Sequence, residues 1–428
     1  MRELVSRMDG MSRRRLLVRA AGTALGVGLL PALGRLAPAA ATGTGKAKRL
    51  IYLYMAGGMS HLDTLDPKPG AASQGRTGVI KTKFPGVQLG EYLPSLARQI
   101  DRLAIVRSLT TKTGDHEQGE YLMRTSYEQI ASERHPSLGP WVQRLLGRHS
   151  QSLPDTVLVG APPRHPGAGF LDPSHSPLPI GDPNEGLENT EPPAYLTEQS
   201  FAKRMELIDR FDAQFRRKYP LEAVRTYTDF YDQAAQLLSS GDLEAFDLRG
   251  ETDADRDRYG RDPFGQGCLL ARRLIEHDVR CVDVTLGGWD MHNSLWDHAT
   301  MPARAAILDR AVAALLDDLA ARGLLDETIV AVTTEFGRSP QVNATAGRDH
   351  HPAVFSAMLA GAGINGGLVH GRSDENGHGV EEDGVGPADL NATIAAAMGL
   401  PRDEVVMSPT LRPFKVAHDG VPIASLLS

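Results

Sequence analysis

The 428-residue sequence has only two cysteines, Cys268 and Cys281. Two are too few for a disulfide framework, and their spacing suits no thiolate metal site. Cys268 lies in a helical pattern and Cys281 in an apolar strand pattern, so both read as small buried apolar side chains. Also missing is any apolar run long enough to span a bilayer, so no stable membrane span is expected. Positive charge is in short supply: 46 Lys and Arg stand against 53 Asp and Glu, for a net charge of −7. The first 41 residues are arginine-rich, so the remainder is more acidic still. Such a body repels polyanions and excludes nucleic acid as a partner. No internal repeat or long low-complexity tract interrupts the chain.

What is present begins with an export pattern. SRRRLL places Arg13 and Arg14 ahead of a Gly- and Ala-rich stretch broken by Pro31 and Arg35, and small residues follow at Ala37 to Ala41. Basic, apolar and small-residue regions in that order read as a twin-arginine signal peptide over 1–41, cut after Ala41 or, as second choice, Ala39. The chain is then expected to use the twin-arginine export machinery and to work in the periplasm or outside the cell. Residues 42–428 read as a single α/β domain.

Short apolar runs at 49–55, 103–107 and 156–160 read as buried strands. Segments 198–217 and 220–239 have helical periodicity with no strand between them, which predicts a helical insertion over about 195–260. Alternation returns with a helix to Glu276, a strand at 279–286, a helix over 303–321 and a strand at 328–334. A polar loop, a strand at 354–361 and a last helix over 389–400 complete the pattern. Strands alternating with helices predict a mostly parallel central sheet between helices, with right-handed crossovers.

In open α/β sheets ligands gather at the carboxyl ends of strands. The first strand runs into GGMSHLDTLDPK, with His61, Asp63, Asp66 and Lys68, and the second into a segment with Asp115 and His116. The strand at 279–286 runs into Asp290, His292 and His298, and the strand at 328–334 into Glu335 and Arg338, with Arg348, Asp349, His350 and His351 beyond. Each cluster alone could be a cap, a turn or a solvated loop. Four on one sheet edge, mixing imidazole with carboxylate, point to a divalent metal: zinc or manganese first, magnesium or calcium as alternatives. His61, Asp63, Asp290, His292, Glu335, Asp349 and His350 are the candidate ligands. Arg338, Arg348 or Lys68 would neutralise the charge of an oxyanion ester. His370 and His378 read as loop histidines.

The strings MAGGMSHLDTLDPKPG, HPSLG, YGRDPFGQGCLLARRLIE, GGWDMH, TEFGRSPQVN and GRDHHPAVFSAMLAGAGINGG, in that order, resemble the bacterial domain-of-unknown-function family 1501. That family is similar to the alkaline phosphatase and sulfatase superfamily, which implies an alkaline phosphatase-like fold with a metal site at one sheet edge. The resemblance puts Asp290 and His292 at a metal-binding Asp and His, Glu335 at the Asp of an Asp-His pair, and His350 or His351 at a late metal-binding His. Gly57 and Gly58 stand where sulfatases show two acids, and Phe336 replaces the histidine of the pair. The Cys/Ser-x-Pro-x-Arg nucleophile string is absent. Counting back from Thr125 and Ser126 puts His116 in the nucleophile position, with Thr110, Thr111 and Thr113 as hydroxyl alternatives.

The expectation is an exported metal-dependent hydrolase or transferase acting on phosphate or sulfate esters, either small molecules or glycans, with His116, Arg338 and Lys68 as catalytic groups. The alternative is a non-catalytic protein that binds an anionic glycan or a partner on the same fold.

Overall fold

The computed structural model describes residues 45–150, 152–160, 162, 164–187, 197–218, 237 and 241–428. The expected signal segment, 1–41, lies outside these residues, as does all of the 220–239 segment except Leu237. The described residues belong to one unit, Ala41–Ser428.

The middle of the main sheet is β1 (Arg49–Met55), buried at all seven positions. Its alternation explains why. Ile51, Leu53 and Met55 enter one core, while Leu50, Tyr52 and Tyr54 enter the other. The other strands that build this sheet and the hairpin over its edge are β2 (Leu103–Leu109), β3 (Thr156–Val159), β4 (Leu178–Ile180), β5 (Cys281–Leu286), β6 (Thr328–Thr333), β7 (Gly337–Val342), β8 (Arg348–His351), β9 (Phe355–Gly361) and β10 (Leu368–His370). Eight of them form the sheet in the order β10-β2-β9-β6-β1-β5-β3-β4. β1 pairs in parallel with both β5 and β6.

Helices cover both faces, as a sheet apolar on both sides requires. On the Ile51 face lie α4 (Pro263–Glu276) and α5 (Met301–Ala321), which contribute Leu269, Leu270, Leu308 and Val312 to the core. On the Tyr54 face lie α1 (His116–Thr125), α2 (Leu138–Leu146) and α6 (Pro387–Ala397), which contribute Met123, Trp141 and Leu390. Each fully buried leucine contributes about 1.5–3 kcal/mol by leaving water. Within the expected insertion, α3 (Glu198–Lys218) forms where helical periodicity predicts it. Cys268 and Cys281 are unpaired and buried, one on α4 and the other on β5. Among the described residues no helix is long and apolar enough to cross a membrane.

The mixed α/β architecture with a mostly parallel central sheet agrees with the expectation from sequence. One strand departs from it: β9 runs antiparallel to both neighbours, β2 and β6. The cause lies in what precedes it. The expected polar loop after β6 is an antiparallel hairpin, β7 and β8, in which His350 pairs with Arg338. With no crossover helix to carry it back, the chain re-enters the sheet at the edge it left and runs the other way. Short strands β4 and β10, which the sequence reading did not include, add the two sheet edges.

Candidate metal centre

The carboxyl ends of β1, β2, β5 and β6 share one edge of the sheet, and the β7–β8 hairpin folds over it. Asp290 and His292 follow β5, Glu335 follows β6, and His350 sits on β8. His116 is the first residue of α1, in the connection after β2; Asp115 caps that helix by accepting from Gln118 N at 3.0 Å. Gly57, at φ 115°, turns the chain out of β1 where a Cβ would lie 2.5 Å from Asp290 N, so the close approach needs glycine.

His116, Asp290 and His350 present ligand atoms that all lie within 4.8 Å of one another. His292 joins them. Three imidazole Nε2 atoms surround Asp290 Oδ1: His116 at 3.3 Å, His292 at 3.0 Å and His350 at 3.2 Å. Each ring is held through its other nitrogen. Nδ1 donates to Glu335 Oε1 at 2.8 Å in His116, to Asp349 Oδ1 at 2.9 Å in His292, and to Gly114 O at 2.6 Å in His350. A proton fixed on Nδ1 leaves Nε2 as a lone pair, the form a metal takes. Phe336, fully buried, makes the floor, with its ring 4.9 Å from His116 and 4.8 Å from His350.

Charge at the cluster is unbalanced. Asp290, Glu335 and Asp349 face a single guanidinium, that of Arg338. Burial raises the Asp290 carboxyl, but the Arg338 guanidinium bonded to it outweighs burial and holds it well below the usual range. Burial likewise raises Glu335, and the hydrogen bonds from His116 and the Gly57 amide bring it below its ordinary value. Hydrogen bonds from His292 and Asn343 lower Asp349. All three carboxylates are therefore ionised. Glu335, through its hydrogen bond, raises His116 against the opposing effect of burial. Excess negative charge, convergent Nε2 lone pairs and the unpartnered Nε2 of His116 fit a divalent cation.

Several residues singled out in the sequence lie elsewhere or act differently. Glu335 spends both oxygens on protein donors: Gly57 N at 2.7 Å and His116 on one, the Tyr54 hydroxyl on the other. It orients the His116 ring. Asp349 does the same for His292. Asp63 is fully buried against Arg348 Nε at 2.8 Å, with the Ser60 and Thr77 hydroxyls on its oxygens. His61, also buried, donates to Gly377 O at 3.0 Å. Lys68 lies 3.1 Å from Asp66 Oδ1. The fold does not bring Asp63, His61 or Lys68 into the cluster, because the segment after Gly58 turns inward under the hairpin.

Both arginines direct their N–H groups at protein acceptors. Arg338 directs its five N–H groups at Gly57 O, Gly58 O, Arg348 O, Asp290 Oδ1 and His292 Nε2. Arg348 directs its five at Asp63 and at the carbonyls of Ser73, Gln74, Ser339 and Pro340. His116 keeps Nδ1 on Glu335 and turns its unpartnered Nε2 to the cluster, so that single nitrogen can serve as a metal ligand or as a nucleophile but not as both. Sequence reasoning did not include Tyr54, Asn343 or the Gly114 carbonyl, and an isolated tyrosine in an apolar strand carries no signal of such a role.

A family model described as "Protein of unknown function (DUF1501)" matches residues 47–427. No curated protein matches the chain. Among solved structures the chain is similar to a protein in the alkaline phosphatase superfamily from Vibrio parahaemolyticus, at 11% identity over 91% of this chain and 72% of that one, with a TM-score of 0.41. A sulfatase from Pseudoalteromonas sp. is 13% identical over 88% of this chain and 73% of that one, with a TM-score of 0.36. The soluble domain of lipooligosaccharide phosphoethanolamine transferase A from Neisseria meningitidis is 10% identical over 87% of this chain and 92% of that one, with a TM-score of 0.35.

Proposed function

From the premise that the chain belongs to the DUF1501 family, we propose that it is an exported, metal-dependent hydrolase or transferase acting on phosphate or sulfate esters. The observation that carries the reading is the convergence of three oriented Nε2 atoms on Asp290 Oδ1. His116, His292, His350 and Asp290 would hold one divalent ion, zinc or manganese first. The ester class rests on the superfamily resemblance of the strand-end motifs, and export on the twin-arginine pattern of residues 1–41.

The ion, when bound, would polarise a phosphoryl or sulfuryl oxygen as a Lewis acid. The protein's part is preorganisation. Glu335, Asp349 and Gly114 O hold the proton of each neutral ring on Nδ1, which places the lone pair on Nε2 and aims it at the cluster. Arg338 pins Asp290 and lowers its basicity. Phe336 closes the site from below and keeps water from that side. Asp290 is about half exposed, at 48%, so the site opens to solvent and a reacting ester can reach it from the sheet edge.

Elemental analysis of the exported protein beside Asp290→Ala tests this reading. Near-stoichiometric zinc or manganese that disappears in the variant supports it and directs a screen of phosphate and sulfate esters. An intact protein that holds no divalent metal overturns it and leaves a protein that binds an anionic glycan or a partner on this fold.

A further inference from the structure

Glu335 Oε2 has two hydroxyl neighbours, and they are not equivalent. Thr334 Oγ1 lies 3.1 Å away, but its single proton has a nearer acceptor, Met55 O at 2.8 Å. Tyr54 Oη, at 3.0 Å, has no other acceptor in its hydrogen bonds. Tyr54 is fully buried on β1. Over its ring, 4.1 Å from the centroid, stands the guanidinium of Arg124. Arg124 lies on the same helix as His116, two turns further on, and is itself buried and clamped. Glu120 Oε1 holds it at 3.0 Å, Thr285 Oγ1 at 3.2 Å, and the Asp283 carboxylate takes its remaining arm.

We propose that Tyr54, polarised by Arg124, is a positioning residue for the metal centre, fixing the Glu335 carboxylate that orients His116; this rests on the metal-centre reading above. A cation on the face of a phenol ring draws electron density from it and makes its hydroxyl the better donor. That hydroxyl anchors the Glu335 oxygen that His116 does not use. With Oε2 tied to β1 and Oε1 to the Gly57 amide, the carboxylate cannot rotate, and the Nδ1 proton of His116 stays in place. One helix thus carries a ligand in its first turn and the clamp for that ligand's support in its last.

A purely structural Tyr54 would satisfy a buried hydroxyl and nothing more, so the test needs a readout that packing does not move. Zinc affinity by chelator competition, measured for Tyr54→Phe, Glu335→Gln and the double variant, supplies one. The expected loss is about tenfold for Tyr54→Phe, with less than about twofold further loss when it is added to Glu335→Gln. Additive losses, or an affinity for Tyr54→Phe within about twofold of the parent, overturn the proposal. The second readout needs no metal: nitrogen-15 imidazole spectra of the stripped protein, with His116→Asn to assign the signal. His116 protonated on Nδ1 in the parent and mixed between tautomers in Tyr54→Phe supports the proposal, and an unchanged ring overturns it. A parent that binds no zinc sinks the metal-centre reading, while the spectra still decide what Tyr54 does. If Tyr54→Phe does not fold, Arg124→Lys replaces it in both measurements, with the same two outcomes.

Discussion

The Nε2 of His292 lies 2.9 Å from the Nε2 of His350. Both rings spend their Nδ1 proton on another acceptor, Asp349 for one and Gly114 O for the other. Two imidazole lone pairs at that separation repel each other unless a metal ion or a proton stands between them, and the Arg338 Nη1–H at 3.3 Å from His292 Nε2 relieves only one of the two. Metal removal is therefore predicted to destabilise the protein. Stripping with a chelator should lower the melting temperature. Zinc at a hundredfold excess over its Kd should restore about 2.7 kcal/mol. In Asp290→Ala the melting curve should ignore both treatments, and a chelator effect that persists there would place the ion elsewhere.

Asp63 and Asp349 looked alike in the sequence, as acids near histidines after a strand. Their predicted fates differ. Asp63 and Arg348 form an ion pair with both side chains fully buried, so Asp63→Ala strands a buried guanidinium and should cost about 3–5 kcal/mol in denaturant unfolding. Asp349 is exposed and supports His292, so Asp349→Ala should leave the unfolding of the stripped protein nearly unchanged and weaken zinc binding about 10- to 100-fold. The reverse pattern would return Asp63 to the ligand set.

Most of the sheet could be read in the sequence because buried parallel strands are continuous apolar runs, and RLIYLYM and TIVAVTT announce themselves. The site edge followed from the same reading, and with it Asp290, His292 and His350. The hairpin of β7 and β8 was not legible. Its residues, GRSPQV and RDHH, are polar because their side chains serve the centre and the inner pairing with Asp63, so the alternation that marks a strand is missing. The same cause hid the fate of His61 and Asp63. Whether an acid after a strand turns out to the cluster or in under a hairpin depends on Gly57 and Gly58, and on an Arg348 nearly 300 residues away. Glu335 was placed correctly at the edge, but its role depends on donors from β1 and α1 that no local pattern reveals.

Two histidines outside the centre set an acid limit on the fold. Burial lowers His61 and His135 from the ordinary 6.5 to about 4 each. Both are neutral in the folded protein and protonate more readily when it unfolds. Their contribution to stability is thus complete above about pH 6.5 and falls as the pH drops toward 4. Unfolding free energies of the metal-stripped protein at pH 7.5 and pH 5 should show the loss. His135→Gln should shallow the slope, since it removes one of the groups that burial lowers most, beside the smaller downward shifts of His165, His175 and His351. A stripped protein equally stable at both values would mean that these rings are already charged in the fold.

Arg338 offers the sharpest test of how the centre treats an anion. All five of its N–H groups are used inside the protein, and the side chain is 1% exposed. Lysine keeps the charge but cannot reach three carbonyls, a carboxylate and an imidazole from a single ammonium. Arg338→Lys should therefore release Asp290 and His292 and lower zinc occupancy, and saturating zinc should recover part of the loss. An arginine that clamps substrate predicts otherwise: full metal occupancy in the lysine variant, with inhibition by inorganic phosphate or sulfate alone weakened. The two patterns separate cleanly because one is read in the metal and the other in the anion. The geometry favours the first, since four of the five N–H groups are held by Gly57 O, Gly58 O, Arg348 O and Asp290 Oδ1, and only the one turned to His292 Nε2 would lose its acceptor to a bound ion.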